Sequence, residues 1–469
     1  MNTFAFLKKL LEWVNGFFLI YLIGYSTFMF LTVVVGSSEL YARYRQKRMK
    51  NTLTDDYFIP VSIIVPAYNE EVTVVDTVRS LLALDYHHYE IIVVDDGSGD
   101  ATAQALIDAF SMTAIQRPIR RLIDCQPEEA IYETQNEKVL LTLIRKKNGG
   151  KADALNMGIN ASRYPYFICM DADSVLQHDS LTKIVEPVLK RGDVVAVGGV
   201  VRPANGVTLE KGRVTSYHMP RNSLAAMQVL EYDRSFLASR ILFDKFNGSM
   251  IISGAFGLFK KDIVIDAGGY ASSTMGEDME LVVKLHEYCL SNRIPYSIKY
   301  ATDAVCWSQA PEHFRDLCKQ RRRWHIGLFQ TLWYHRRMML RPEYGPISVI
   351  SYVYFLIYEL LSPFVELLGA CSMALAFVLG LVNLPFMILF LTMYTVYGCV
   401  LTMTAFFAQI YTSEVKLTAH TVCKAILLCL FEVFFLHTAL NYVRATAFIG
   451  YKKRRLNWGR IERKKLDLQ

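Results

Sequence analysis

The sequence predicts an α/β domain with a mainly parallel sheet, placed between hydrophobic segments long enough to cross a membrane. Two observations support this prediction. In the middle of the chain, short apolar runs typical of buried strands alternate with helix patterns, which favours a parallel sheet covered by helices on both faces. Towards the two ends, long uncharged stretches make 52% of the 469 residues hydrophobic and raise the mean hydropathy to +0.21.

The first hydrophobic segment is predicted to be a retained membrane anchor. No charged residue occurs from Trp13 to Ser38, and residues 17–36 alone could cross a bilayer, which takes about 20 residues. The apolar part is longer than that of a typical signal peptide, and no small-residue cleavage site ends it. Five basic residues follow it: Arg43, Arg45, Lys47, Arg48 and Lys50. By the positive-inside rule, they place the middle of the chain in the cytoplasm.

A second basic cluster lies near the last residue and contributes to the formal net charge of +7. Its members are Lys452, Lys453, Arg454, Arg455, Arg460, Arg463, Lys464 and Lys465. Nucleic-acid binding is one interpretation, but no base-stacking or groove-reading motif accompanies the cluster, so we expect no nucleic-acid partner. The positive-inside rule is the other interpretation, and it predicts a cytoplasmic tail. Nine scattered cysteines without a CxxC pair favour free thiols in a reducing compartment.

The chain therefore divides into an anchor with its basic flank, a central α/β domain, a hydrophobic region of interfacial and transmembrane helices, and a basic tail. The predicted bounds of these parts are 1–50, 51–340, 341–450 and 451–469. No Asp, Glu, Lys or Arg occurs from Leu367 to Ser413. This run could hold two crossings, at about residues 363–382 and 385–411.

Two other segments of the hydrophobic region are ambiguous. If the tail is cytoplasmic, either both of them cross the membrane or neither does. We expect residues 347–361 to lie at the membrane interface, and the sequence leaves residues 425–442 open. Their polar residues either line a polar path through the membrane or face the central domain and one another. The polar residues of the region are Glu359, Glu366, Glu432 and His437.

The central domain begins with alternating strand and helix patterns. Strands are predicted at residues 61–65, 91–94, 139–144 and 166–170. Helices are predicted at residues 72–84, 102–110, 151–162, 279–288 and 311–338. Residues 116–136 show no periodicity and predict an irregular excursion. Ligands of parallel sheets bind beyond the carboxyl ends of the strands, and polar clusters follow three of the predicted strands.

The first polar cluster follows the first two predicted strands. It comprises Pro66, Ala67, Tyr68 and Glu70 after one strand, and Asp95 and Asp96 after the other. Both groups close strand–helix units, so we expect them near each other at one edge of a crevice. A carboxylate there can accept the imide N–H of a uracil or the hydroxyls of a ribose, but Asp and Ser also cap helices and form turns. The residues alone support nucleoside binding and local capping equally.

A glycine-lysine loop precedes the helix predicted at residues 151–162. Gly149 and Gly150 let the backbone approach a phosphate, and Lys151 adds a positive charge. The spacing is not that of a Walker loop, which also has Ser or Thr after the lysine. The loop is therefore a candidate phosphate site of another kind.

Two aspartates, Asp171 and Asp173, follow the last of these strands. Carboxylates spaced i, i+2 at a strand end can face one divalent cation, and Mg²⁺ and Mn²⁺ accept such oxygen ligands while leaving positions for phosphates. Such a cation would neutralise the charge that develops on a diphosphate leaving group. The motif is frequent by chance, but its place downstream of the glycine-lysine loop makes it a candidate metal site.

An acidic pair, Glu277 and Asp278, follows Gly276 and precedes a helix pattern. A carboxylate held at the start of a helix can act as general base on an acceptor hydroxyl. Plain capping of the helix is the alternative, and the local sequence supports both.

A basic run, Gln320-Arg321-Arg322-Arg323-Trp324, lies within the helix predicted at residues 311–338. The run could be a solvated face or a stripe on the membrane surface. Gln320 and Trp324 are four residues apart and share one helix face, however. A tryptophan beside cations suits a sugar ring or a diphosphate.

Taken in order, these motifs resemble the family 2 membrane glycosyltransferases, which include the synthases of cellulose, hyaluronan, chitin and poly-N-acetylglucosamine. The resemblance spans about residues 60–333, and it includes the double aspartate, the DxD motif, the acidic pair and QxxRW. It implies a GT-A-type nucleotide-sugar transferase domain flanked by transmembrane helices. It also implies a bacterial plasma membrane, with the catalytic domain on the cytoplasmic side.

The resemblance implies a role for each matching residue. The donor nucleotide would be bound by Pro66, Ala67, Tyr68, Glu70, Asp95, Asp96, Lys151 and Asp171. Mg²⁺ or Mn²⁺ would be bound by Asp171 and Asp173, and Asp278 would be the catalytic base. The acceptor would be bound by Ser253, Gly254, Glu277, Gln320, Arg323 and Trp324.

The implied function is processive, inverting transfer from a UDP-sugar, with UDP-N-acetylglucosamine favoured, to a growing β-linked polysaccharide. One alternative is the addition of a single sugar to a lipid acceptor, against which QxxRW argues. Another is a transporter or binding module with an inactive site, against which the intact Asp278 argues. The sequence departs from the family at Gly276, where many members have Thr, and in having one N-terminal anchor where several members have two. An accessory membrane or export protein, or a homodimer, could therefore be needed for export.

Overall fold

The computed structural model describes residues 3–50, 58–134, 139–210, 212–412 and 419–451. The predicted basic tail therefore lies outside the described residues, apart from its first residue, Tyr451. The side chains of Lys47, Arg48 and Lys50 in the first basic cluster also lie outside the described part.

The central domain is built on a mixed sheet of ten strands. The strands of the chain are β1 Val61–Ala67, β2 Tyr89–Asp95, β3 Thr113–Ile115, β4 Glu128–Glu133, β5 Leu140–Lys146, β6 Tyr166–Cys169, β7 Ser174–Leu176, β8 Val194–Pro203, β9 Val207–Glu210, β10 Arg213–Tyr217, β11 Gly257–Lys260 and β12 Ser297–Ser308. The order in the sheet is β3-β4-β5-β2-β1-β6-β11-β8-β12-β7, while β9 and β10 form a separate hairpin. Strands β5, β2, β1 and β6 form a parallel core, which confirms the predicted α/β class.

The helices lie on both faces of the sheet and in the hydrophobic region. The α-helices are α1 Thr3–Lys50, α2 Val74–Leu82, α3 Thr102–Phe110, α4 Lys151–Ala161, α5 Ser180–Lys190, α6 Ser223–Tyr232, α7 Ser239–Lys245, α8 Lys261–Asp266, α9 Glu277–Ser291, α10 Phe314–Tyr334, α11 Tyr352–Tyr354, α12 Ser362–Val378, α13 Leu384–Thr412, α14 Ala419–Phe431 and α15 His437–Ala445. π-helical turns occur at Asp233–Ala238, Ile347–Ser351, Phe355–Leu360 and Glu432–Leu436, and 3₁₀ turns at Arg336–Met338, Pro342–Tyr344 and Thr446–Phe448.

Two apolar layers sandwich the parallel core, because successive residues of a buried strand point to opposite faces of the sheet. Ile63 belongs to the layer formed with α2, α3 and α5. Its neighbour Ile64 belongs to the layer formed with α4, α8 and α9. The ends of β1, β2 and β6, where the predicted donor-site residues lie, thus belong to strands that are covered on both faces.

The prediction of an irregular excursion at residues 116–136 is wrong in part. Glu128–Glu133 forms β4, which pairs antiparallel with β5 and places Ile131 opposite Ile144. Ion pairs from Arg117 to Glu133 (2.9 Å) and from Arg121 to Glu128 (2.5 Å) hold this polar strand near the sheet edge. The strand lacks the regular alternation of apolar and polar residues, so periodicity does not reveal it.

Two helices of the described residues are long and apolar enough to cross a membrane, Phe6–Gln46 within α1 and Leu384–Tyr411 within α13; the bent pair Ile347–Leu360 and Ser362–Val378 adds a third if it counts as one span. The two long helices pack on each other, with Tyr397 Oη donating to the Ser26 carbonyl at 2.6 Å. Helix α12 has 17 residues, at the lower limit of the usual range for a span. The predicted anchor at 17–36 lies inside α1.

The two ambiguous segments of the hydrophobic region both pack against the central domain. In the first, the hydroxyl of Ser351 donates to the Gly248 carbonyl at 2.7 Å, and that of Tyr352 donates to the Leu332 carbonyl. In the second, Leu440 packs near its end against Leu317 of α10, and Lys424, just before the segment, donates to the Pro220 carbonyl at 2.7 Å. Both segments also pack on the long apolar helices, the first on α1 and the second on α13.

Candidate active site

The ends of β1 and β2 form one rim of the site. The hydroxyl of Ser98 accepts the Asn69 N–H at 2.9 Å, and the Asn69 side chain accepts the Gly99 N–H at 2.8 Å. The Ala67 carbonyl accepts the Asp96 N–H at 2.9 Å. These bonds place the two predicted polar groups side by side, as expected for neighbouring parallel strands.

Asp96 fastens the glycine-lysine loop to the end of β2. Its carboxylate accepts the N–H groups of Gly149 (3.0 Å) and Gly150 (2.7 Å) and a bond from the Lys146 ammonium. Burial raises the pKa of Asp96 above its ordinary value, although the Lys146 charge opposes this effect. The loop directly precedes Lys151, so Asp96 controls where that lysine begins α4.

The other predicted donor-side residues lie around this rim. Asp95 is buried, and its carboxylate accepts the Ser98 N–H at 3.0 Å. Glu70 accepts from the hydroxyl of Thr73 at 2.8 Å, and Tyr68 is exposed. Asp95 therefore also serves the turn function that the sequence offers as an alternative, and Glu70 has a local side-chain partner.

Lys151 forms the centre of the charged cluster. Its ammonium lies 2.5 Å from Asp171 Oδ1, beyond the end of β6, and 3.5 Å from Glu277 Oε1 at the start of α9. Burial disfavours the charge, but the two carboxylates outweigh this effect and hold the pKa of Lys151 above its ordinary value. One lysine thus joins the DxD motif to the acidic pair.

Asp278 projects into the same cluster with a fixed orientation. Its Oδ2 accepts the Gly254 N–H at 3.1 Å and its Oδ1 accepts the Met279 N–H at 2.8 Å. A Cβ on Gly254 would stand 3.2 Å from the Lys151 ammonium and 3.5 Å from Asp278 Oδ2, so glycine permits this close approach. Burial raises the pKa of the neighbouring Glu277 to about 7, while Lys151 opposes the rise. The two adjacent carboxylates therefore have different environments.

Helix α10 packs directly on the loop that leads to Asp278. Gln330 accepts the Met275 N–H at 2.8 Å and a bond from the Thr274 hydroxyl at 3.2 Å. One turn earlier, Gly327 contacts Gly276 backbone to backbone. A glycine inside a helix pattern is the signal by which the sequence could have revealed this contact.

The basic run of α10 is not a solvated face at Arg321. This side chain is 2% exposed, donates to Glu231 of α6 at 2.6 Å, and lies over the Trp324 ring with its guanidinium carbon 4.5 Å from the ring centre. The sequence places Gln320, Arg323 and Trp324 in the site but gives Arg321 no role. The sequence does not distinguish the three successive arginines. Arg321 is the one that points inwards, because Glu231 lies where its guanidinium can pair with it.

One cavity joins the charged cluster to the hydrophobic region. The predicted site residues that line it are Lys151, Asp171, Ser253, Gly254, Glu277, Asp278, Gln320, Arg323 and Trp324. The predicted residues outside its lining are Pro66, Ala67, Tyr68, Glu70, Asp95, Asp96 and Asp173. The predicted base Asp278, Asp171 of the DxD motif and the QxxRW motif therefore share one space, and the rim at β1 and β2 lies beside it.

The far side of the cavity is lined by the polar residues of the hydrophobic region. Glu432 forms a two-pronged ion pair with Arg234, at 2.9 and 3.0 Å. His437 lies 2.9 Å from Glu366, and Glu359 accepts from Tyr354 at 3.0 Å. Glu359, Glu432 and His437 thus face the cavity, and each also has a polar partner in the described chain.

Asp171 and Asp173 are the carboxylates that could hold a divalent cation. The Asp171 side chain is one-third exposed, and Asp173 is buried. Within the described ranges no three His, Cys, Asp or Glu side chains form a complete metal-binding group. At nucleotide sites, Mg²⁺ and Mn²⁺ are commonly bound by two carboxylates, and diphosphate oxygens fill other coordination positions. The residues therefore fit a cation that shares its coordination with a nucleotide.

The sequence of this chain is similar to those of known proteins. The sequence matches Glycosyl transferase family 2 over residues 62–267 and Glycosyl transferase family group 2 over residues 166–449. It is 30% identical over 337 residues to the poly-beta-1,6-N-acetyl-D-glucosamine synthase of Staphylococcus aureus (strain COL), covering 71% of this chain and 70% of that protein. The enzyme of the same name from Staphylococcus epidermidis is 30% identical over 318 residues, 66% of each chain.

A solved structure supports the fold. The mannosyltransferase PcManGT from Pyrobaculum calidifontis, determined in complex with GDP-Man and Mn²⁺, aligns with a TM-score of 0.51. The alignment covers 83% of this chain and 97% of that one at 19% sequence identity, so the likeness concerns the fold alone.

Proposed function

The chain belongs to glycosyl transferase family 2, and from that membership we propose that it synthesises poly-β-1,6-N-acetylglucosamine from UDP-N-acetylglucosamine. It is a glycosyltransferase, and the proposed reaction is processive and inverts the anomeric carbon. The observation that carries the proposal is the 30% sequence identity to a synthase of that polymer, in an alignment that covers 70% of that synthase. The grouping of Lys151, Asp171 and Asp278 around one cavity supports it.

The chemistry is a direct displacement. Asp278 accepts the proton of the acceptor hydroxyl while that oxygen attacks the anomeric carbon of the donor. The bond from this carbon to the phosphate oxygen breaks, and UDP departs with the bonding electrons. The bonds from Gly254 and Met279 keep the carboxylate aimed at the acceptor. Attack opposite the leaving group yields the β-linkage.

The donor lies on the Lys151 side of the site in this proposal. Lys151 supplies positive charge to the diphosphate, and the rim at Asp95 and Asp96 holds the nucleoside. Mg²⁺ or Mn²⁺ would be held by Asp171 and Asp173, where it supplies Lewis-acid stabilisation of the departing diphosphate. A sugar of the acceptor chain stacks on Trp324, whose ring plane is set by Arg321.

We place the enzyme in a bacterial plasma membrane with the central domain in the cytoplasm. The candidate spans and the basic residues after α1 support this orientation. Three proposed crossings are few for a closed channel. A second copy of the chain or an accessory membrane protein would therefore complete the export path.

The decisive experiment is UDP release by the purified protein in detergent with Mg²⁺ or Mn²⁺, against a panel of UDP-sugars. Release with UDP-N-acetylglucosamine, together with a polymer on a gel, is expected. A single glycolipid product would replace the proposal with the lipid-acceptor alternative. Release only with another UDP-sugar would overturn the assignment of the donor.

A further inference from the structure

His335 lies between the two helices that build the acceptor side of the site. It follows the last residue of α10, and it is 7% exposed although its neighbours Tyr334 and Arg336 face solvent. Its Nδ1 lies 2.5 Å from Glu287 Oε2, and its Nε2 lies 3.3 Å from Glu280 Oε1. Both carboxylates belong to α9. One imidazole thus bridges the end of α10 to two positions of α9 that are about two helical turns apart.

This geometry requires a particular protonation state. A carboxylate is only an acceptor, and neutral imidazole has a single N–H donor, so both contacts are hydrogen bonds only in the imidazolium form. Burial disfavours the imidazolium, but Glu280 and Glu287 outweigh this effect and raise the pKa of His335 above its ordinary value. The bridge is therefore complete while the imidazole is protonated, and it weakens as the pH rises through that raised pKa.

The bridge acts on the part of α9 that carries Asp278. Glu280 lies in the first turn of the helix, two residues after Asp278, and its N–H donates to the Gly276 carbonyl at 2.9 Å. Helix α10 already contacts the loop just before this turn through Gly327 and Gln330. His335 is the third contact on the same side of α10. It is also the one among these three that can gain or lose a proton.

We propose that His335 is a positioning residue whose imidazolium clamps α10 to α9 and thereby fixes Asp278 relative to Trp324, so that transfer slows when the imidazole loses its proton. The inference rests on the proposed transferase reaction and adds a pH-dependent control of its acceptor side. Because the donor diphosphate is bound by other residues, the clamp is expected to affect turnover and to leave donor affinity unchanged.

The surrounding charges are consistent with a bridge to α9. Lys284, also on α9, pairs with the second oxygen of Glu280 at 3.1 Å and donates to the Gly269 carbonyl at 2.8 Å, so its ammonium is held by these two partners. Arg336 donates to the Trp333 carbonyl and lies over its ring. Within the described chain, the ion pairs of His335 are those with Glu280 and Glu287.

The test is the pH dependence of UDP release by the full-length protein at saturating UDP-N-acetylglucosamine. Wild type is expected to lose kcat on an alkaline limb. H335Q should lower kcat about tenfold at neutral pH with an unchanged donor KM, and it should lack that limb. H335K, which keeps a positive charge, should restore most of kcat and move the limb to higher pH. E287Q removes one of the two charges that stabilise the imidazolium, so its limb should move to lower pH.

His313→Gln is the matched control, because His313 is exposed and precedes the first residue of the same helix. Its profile should coincide with that of wild type. An unshifted limb in E287Q, or a wild-type profile in H335Q, would overturn the clamp while leaving the proposed reaction intact.

A second readout does not require turnover. The melting temperature of wild type should exceed that of H335Q by more at pH 6 than at pH 9, because the bridge exists only with a protonated imidazole. A difference that is independent of pH would overturn the clamp. If wild type released no UDP from any donor, the proposed function would fail, and this second readout would still decide whether the clamp exists.

Discussion

Gly276 and Gly327 meet backbone to backbone, and this contact sets how closely the QxxRW helix approaches the candidate base. A Cβ on Gly327 would stand 2.8 Å from both the Cα and the backbone nitrogen of Gly276, closer than any real side chain tolerates. Gly276 precedes Glu277 and Asp278, and Gly327 follows Trp324 by three residues. At this point the helix that carries QxxRW and the loop that carries Glu277 and Asp278 touch directly through their backbones, with no side chain between them.

Gly327→Ala should slow transfer strongly. The methyl group can be accommodated only if α10 moves away from the start of α9, because its close neighbours are backbone atoms. Overpacking of this kind costs about 1–3 kcal/mol of stability, and a shift of about 1 Å can cost roughly 100-fold in rate. Steady-state UDP release and thermal melting measure the two effects. Gly192→Ala is the control, since a Cβ there meets nothing within 4 Å; equal activity of the two variants would contradict the role of the contact.

Asp278→Asn should abolish transfer while preserving the binding of UDP. The amide keeps an acceptor oxygen for one of the two backbone N–H groups but cannot take a proton from the acceptor hydroxyl. Loss of a general base lowers kcat roughly 10²- to 10⁴-fold. Calorimetric titration with UDP and single-turnover transfer separate binding from chemistry. Asp108→Asn, at an exposed position of α3, is the control. Turnover near the wild-type level would remove Asp278 from the role of base.

Asp96→Asn should weaken donor binding through the glycine-lysine loop. The amide cannot neutralise buried Lys146, which would keep only Asp153, at 2.7 Å. It also cannot accept from Gly149 and Gly150 with both of its atoms. We expect a higher donor KM together with a lower melting temperature, and a nearly unchanged kcat at saturating donor. A raised KM without loss of stability would contradict the role of Asp96 in holding the loop and leave only its contact with the nucleoside.

The strand–helix units that carry the donor motifs follow from the sequence, because buried parallel strands and their helices have strong local patterns. The predicted helix at 102–110 coincides with α3, and the strand predicted at 61–65 is β1 with two more residues. Strand β4 cannot be predicted in this way, because its charged sequence has no strand pattern and the strand forms by pairing with β5. Local pattern determines the parallel core, and long-range pairing determines the polar edge of the sheet.

The motif residues that line the cavity also follow from their order, but the residues that position them do not. Arg321 is chosen over Arg322 by Glu231, which lies 90 residues earlier in the chain. His335 sits three residues before the end of a predicted helix and becomes significant only when α9 brings Glu280 and Glu287 to its two nitrogens. These roles arise from tertiary contacts that no local pattern encodes.

Arg321→Lys should weaken acceptor use and spare the donor. A lysine can keep the charge near Glu231, but its ammonium cannot lie flat on the Trp324 ring and pair with the carboxylate at the same time. Loss of the ring contact is worth about 1 kcal/mol, so the acceptor KM for short oligosaccharides should rise roughly fivefold to tenfold. Arg315→Lys, on the exposed face of the same helix, is the control. A rise in donor KM alone would contradict the assignment of Trp324 to the acceptor.

Glu277 should make the donor KM depend on pH. Burial raises its pKa to about 7, so the carboxyl is mostly neutral at pH 6 and mostly ionised at pH 8. The ionised form competes with the donor diphosphate for the Lys151 ammonium, which lies 3.5 Å away, whereas the neutral form leaves Lys151 to Asp171 and the donor. Donor KM in wild type should therefore rise between pH 6 and pH 8.

Glu277→Gln should remove this dependence and keep the donor KM at its low-pH value throughout, since a neutral amide mimics the protonated carboxyl. Glu186→Gln, at an exposed position of α5, should retain the wild-type trend. Initial rates of UDP release over a range of donor concentrations at each pH provide the measurement. A pH-dependent KM that persists in Glu277→Gln would show that another group controls Lys151. The titration of Glu277 is expected to act on donor KM and that of His335 on kcat, so a single set of pH profiles separates the two effects.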